Sequence, residues 1–125
     1  DVDMNSAEAV VIPGGMPGVT NLEKNDDFKK YILKAADDGK LVCAICAGPS
    51  LPGKWGLLNG KRATAYPGFE QFLEGAAISD EYVVRDGNYI TARGAGVSVD
   101  FGLEIVSALR GTAAANEVRN SIQCR

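Results

Sequence analysis

The chain has 125 residues, 46% apolar and 23% charged, the size and composition of one ordinary globular domain. Thirteen basic against sixteen acidic residues leave a formal charge of -3 with no basic block, which argues against nucleic acid or an anionic membrane as partner. Histidine is absent, so neither a Ser-His-Asp nor a Cys-His arrangement can be assembled, and zinc would have only three cysteines and carboxylates to bind.

No segment approaches the roughly 20 apolar residues of a membrane span, and no signal-peptide pattern opens the chain, so a cytoplasmic protein is expected. The first residue is Asp1, close to a strand, which suggests that something ahead of it has been removed. After a polar lead, residues 8–13 read as a buried strand closed by Pro13, Gly14 and Gly15. Two readings of the glycines stay open: a close backbone approach to another group, or a plain strand-to-loop turn. Asn25 or Asp26 can cap a helix to about Asp38 with Phe28, Tyr31, Ile32 and Ala35 on one face and Gly39 ending it.

Residues 41–45, Leu-Val-Cys-Ala-Ile, form a strand buried on both faces, and Cys46 follows where the chain turns. Strand, helix and strand in this order form a right-handed crossover, so both strands end at one sheet edge, where open α/β sheets bind ligands. Gly14, Gly15 and Cys46 are thereby expected at one crevice. After Cys46, Pro49 and Pro52 suit the first turn of a short helix that ends before Gly56, whose free N–H groups and dipole would favour a thiolate. Cys43 and Cys46 spell Cys-x-x-Cys, but three extended residues hold their α-carbons roughly 10 Å apart, beyond disulfide reach. Cys43 is therefore expected in the core, and Cys124 as a loose surface thiol.

Further on, residues 62–65 read as a short strand and 69–73 as a helical turn. Residues 82–85 and 89–92 flank Asp86-Gly87-Asn88 as a hairpin. Phe101, Ile105 and Leu109 are stacked four apart in a helix over 97–109, stopped by Gly111. A last helix over 112–119 leads into a tail. The glycines complete neither a P-loop nor a dinucleotide fingerprint.

Five blocks in order, at 10–18, 44–49, 63–70, 86–96 and 100–106, resemble the ThiJ/PfpI superfamily, and within it the branch of the parkinsonism-associated protein deglycase and glyoxalase III. The resemblance implies a flavodoxin-like α/β sandwich with a mainly parallel sheet, one domain over 1–125, and Cys46 on a nucleophile elbow. It implies an oxyanion pocket formed by N–H groups near Gly14, Gly15 and Ala47, a site or interface role for Arg93, and a homodimer. The chemistry implied is conversion of small 2-oxoaldehydes or their adducts without metal, glutathione or other cofactor. The alternative is a redox-sensing or chaperone-like protein that uses the same oxidisable cysteine without turnover.

Two departures stand out. The family's initial strand-helix-strand, which carries a glutamate hydrogen-bonded to the cysteine, has no counterpart here, so an N-terminal piece of roughly 45–60 residues is expected to complete the domain. Tyr66 stands where relatives often have histidine, as either a donor bordering the pocket or a packing residue before a turn.

Overall fold

The computed structural model describes residues 5–124; residues 1–4 of the polar lead and Arg125 at the end of the expected tail lie outside them. A four-stranded sheet has the order β1 (Ala9–Ile12), β2 (Leu41–Ile45), β6 (Tyr89–Ala92), β5 (Val83–Asp86). The first three strands are parallel, and β5 pairs antiparallel with β6. Gly87, at φ 59°, makes the tight turn between these last two, the position where a side chain would cost most. β2 matches the sequence reading residue for residue, because an apolar run bounded by Gly39 and the turn at Cys46 leaves little freedom for its ends.

Alternation along the strands divides the interior in two. Ile12, Val42, Ala44 and Tyr89 face one side of the sheet, where they meet Ile32 and Ala35 of α2 (Asp26–Asp37) and Leu51 of α3 (Ser50–Lys54). Cys43, Ile90 and Ala92 face the other side and pack on Phe101 of α4 (Ser98–Arg110). The result is helix, sheet, helix: the three-layer sandwich expected. Asn25 caps α2 by accepting the Phe28 N–H at 2.9 Å, and the end of α4 is closed by Gly111 at φ 93° before α5 (Thr112–Ser121) begins.

Three features differ from the reading of the sequence. The helix α1 (Gly18–Glu23) was not expected, since Pro17-Gly18 resembles a turn and only Val19 of the six residues is buried. The expected strand over 62–65 shortens to β3 (Arg62–Ala63), paired in parallel with an unforeseen two-residue β4 (Ala77–Ile78). Its reason lies in the hydrogen bonding. Arg62 N–H donates to Asp86 Oδ2 at 2.8 Å and Thr64 N–H to Thr91 Oγ1 at 3.0 Å, so side chains of the main sheet take the bonds that a ladder would otherwise supply. Among the described residues no helix is long and apolar enough to cross a membrane.

Candidate functional site

Cys46 follows β2 directly and has φ 65°, a left-handed conformation that costs a residue with a side chain about 1–2 kcal/mol. Its backbone is pinned on both sides: the N–H donates to Ala92 O at 2.9 Å, and the carbonyl accepts the Tyr66 N–H at 2.8 Å. Glycines let the neighbouring turns close on it. A Cβ on Gly14 would lie 2.5 Å from Cys46 Cβ and 3.0 Å from Ile45 O, and one on Gly48 only 2.7 Å from Ile12 O. Close approach is therefore the role of Gly14, while Gly15 has φ 92° and needs glycine for its backbone angle. Gly14→Ala is expected to destabilise the fold by about 1–3 kcal/mol, the usual cost of overpacking. Urea unfolding measures it; an unchanged midpoint would show that the two turns can part freely.

The sulfur-bearing residue, which is half-buried, lines a cavity of about 360 Å³ with Gly14, Gly15, Ile45, Ala95 and Ser98. Among the described residues the N–H groups of Gly14, Gly15 and Ala47 reach no acceptor, whereas the Gly48 N–H donates to Ile45 O at 3.0 Å. Unspent donors beside a nucleophile are what an oxyanion requires. Ser98 supplies the hydroxyl of the lining, and it donates to Ala95 O at 2.8 Å. The lining contains no carboxylate.

The short helix expected after Cys46, with Pro49 in its first turn, starts slightly later than that reading. Residues 46–49 wind in turns, with the Ser50 N–H on Ala47 O at 3.1 Å, and α3 starts at Ser50 with Pro49 as its N-cap. A five-residue helix beginning four residues beyond Cys46 gives little dipole to the sulfur. Local N–H groups, not a helix axis, shape this corner.

Tyr66 and Arg93 do not line the Cys46 cavity. They border a neighbouring one, with Tyr66 about half exposed and edge-on to Phe69 at a ring separation of 6.4 Å. Ala95 and Ser98 were missed in the sequence. The available signal was β6 itself: a parallel neighbour of β2 must deliver its following loop to the same edge. Cys43 is fully buried, and burial pushes its thiol up to about 12, the behaviour of a core residue rather than a redox partner. Cys124 is not loose but half-buried, accepting from Arg119 Nη1 at 3.5 Å.

The model of the DJ-1/PfpI family matches residues 1–108. The chain belongs to the DJ-1/PfpI family. It is 37% identical to Protein DJ-1 homolog B of Arabidopsis thaliana over all of its own length, but spans only 29% of that protein. The crystal structure of Drosophila melanogaster DJ-1beta superposes with a TM-score of 0.90 at 31% identity, covering 98% of this chain and 67% of that one. Toxoplasma gondii DJ-1, in an oxidized form, gives a TM-score of 0.89 at 26% identity, over 96% of this chain and 66% of that one. Membership in this family carries with it the flavodoxin-like fold expected from the five sequence blocks.

Proposed function

We propose that this chain carries the nucleophile of a cysteine-dependent glyoxalase or deglycase that acts on small 2-oxoaldehydes such as methylglyoxal, or on their adducts. The observation that supports this most directly is Cys46 held at φ 65° over a cavity of about 360 Å³ beside unspent backbone donors. The thiolate adds to the aldehyde carbon, and the carbonyl electron pair becomes an oxyanion held by the Gly15 and Ala47 N–H groups, then a hemithioacetal hydroxyl. Moving the proton from that carbon to the adjacent ketone carbon gives a lactoyl thioester, which water cleaves to lactate and the free thiol. No metal or glutathione enters this balance.

The proton transfer needs an acid–base group, and the cavity lining has none. In this reading a carboxyl comes from an N-terminal segment that adds a strand to β1, the edge strand on which Val11 is half exposed. Intact mass spectrometry of the folded protein would reveal such a segment. A single 125-residue species that is monomeric and folds cooperatively would remove it from the scheme.

Cys46→Ser in the complete protein is expected to abolish lactate formation from methylglyoxal, since an alcohol of normal pKa is a far weaker nucleophile. Retained turnover would exclude the mechanism. The second reading, a redox sensor, is favoured by the oxidized state of the Toxoplasma neighbour. Two equivalents of peroxide would convert the thiolate through sulfenate to sulfinate, with two waters released. Oxidation confined to Cys46 in a protein that consumes no aldehyde would select that reading.

A further inference from the structure

A second cavity of about 300 Å³ adjoins the first, lined by Tyr66, Tyr82, Arg93, Gly94 and Gly96 among others. The two share one stretch of backbone: Gly94 and Gly96 line this cavity, and Ala95 between them lines that of Cys46. Ile45 and Ala92 are cross-strand partners, so Cys46 and Arg93, the next residues, leave adjacent parallel strands at the same sheet edge. A molecule a few carbon atoms long can therefore extend from one cavity into the other.

We infer that the Tyr66, Tyr82 and Arg93 cleft is a carboxylate subsite, which makes the preferred substrate a 2-oxoaldehyde bearing a carboxylate at its far end. The inference rests on the reading of Cys46 as the nucleophile. Arg93 is half-buried and, among the described residues, has no ion pair within 4.0 Å. Its guanidinium carbon lies 5.0 Å from the centre of the Tyr82 ring, and its backbone N–H donates to Tyr82 O at 3.0 Å. This cation–π contact holds the guanidinium beside the ring, and a guanidinium can take a planar anion in bidentate fashion, which a lysine could not match.

The nearby acid does not occupy that edge. Glu70 accepts the Gly68 N–H at 2.5 Å, and its carboxyl is held below the usual range first by its own backbone N–H and then by that of Gly68, with the charge of Arg93 a smaller contribution. Tyr66 and Tyr82 are 49% and 63% exposed, so aromatic surface is available to a short carbon chain beside the cation. Gly94 keeps the floor low, since a Cβ there would already touch Tyr66 Cδ2 at 3.5 Å.

The test compares 4,5-dioxopentanoate with the neutral 2-oxopentanal in the complete protein and in its Arg93→Gln variant. The carboxylate substrate is expected to be preferred in kcat/KM by about tenfold or more, and Arg93→Gln to erase that preference through KM while changing the neutral substrate less than about twofold. Equal losses on both substrates, or none, would overturn the subsite. Glutarate, which cannot react, provides a readout independent of turnover: calorimetry should detect binding that Arg93→Gln weakens about tenfold. Glutarate bound through Arg93 in a protein that turns over neither aldehyde would preserve the subsite and reject the glyoxalase reading. Failure of glutarate to bind, including because a second copy of the chain covers Tyr82, would overturn the subsite.

Discussion

Cys46→Gly is expected to yield a protein that produces no lactate and is nevertheless more stable than the parent. Cys46 occupies φ 65°, where a side chain costs about 1–2 kcal/mol. Glycine relieves that cost, because it adopts positive φ without the penalty that a Cβ brings. Against this stands the greater backbone freedom of glycine in the unfolded chain, about 0.5–1 kcal/mol. The balance favours the variant by up to about 1.5 kcal/mol, a rise of up to several degrees in Tm. Little packing is lost, because the cysteine is only half-buried. Cys46→Ala serves as the control: it removes the sulfur and keeps the strained angle, so it should lose activity without the gain. If thermal unfolding placed the glycine variant at or below Cys46→Ala, the elbow would hold no strain worth releasing. Stability and nucleophile would then be independent, contrary to the usual trade at functional sites.

The parts of this architecture that sequence made legible are those whose local signals agree with their burial. β2 has an apolar run between two turn residues, and α2 has an Asn25 cap, an apolar face and Gly39 after its end at φ 73°. The hairpin of β5 and β6 is announced by Asp86-Gly87, and Gly111 stops α4. What escaped is what depends on the third dimension. β4 is two exposed residues with no pattern to show, and β3 owes its shortness to Asp86 and Thr91, which lie far along the chain. The start of α3 was misplaced because Pro49 can stand at the N-cap as well as inside the first turn, and local sequence does not choose between them.

The candidate site divides along the same line. Cys46, Gly14 and Gly15 could be brought together by crossover topology alone, because two parallel strands joined by a helix must end at one edge. Ala95 and Ser98 required the further step that β6 lies next to β2, which the order of elements does not fix. Tyr66 and Arg93, expected at the pocket or interface from the family resemblance, line an adjoining cavity and not that of Cys46. Tyr66 donates its N–H to Cys46 O while its ring lines the adjoining space.

Cys43 gives a second large effect, on alkaline stability. Its thiol is pushed by burial from 9.0 to about 12, so between these limits the folded state keeps a proton that the unfolded state has released. The unfolded state binds fewer protons there, and stability must fall as pH rises, by about 1.4 kcal/mol for each pH unit. Well below pH 9.0 both states hold the proton, and there Cys43 contributes nothing to the pH dependence. Across the whole window the loss approaches about 4 kcal/mol, a large part of the 5–15 kcal/mol that holds a typical domain together. Tyr89 is also raised by burial and adds to the decline above pH 10.0, so the informative quantity is the difference between the parent and Cys43→Ala. That variant should be less stable at pH 7 because a hole is left between Ile90 and Phe101, yet its stability should fall less steeply above pH 9.0. Parallel curves for the two proteins would mean that Cys43 ionises in the folded state as freely as in water. The core would then be open to solvent at the strand that carries the elbow, and Cys46 could no longer be regarded as held on a rigid support.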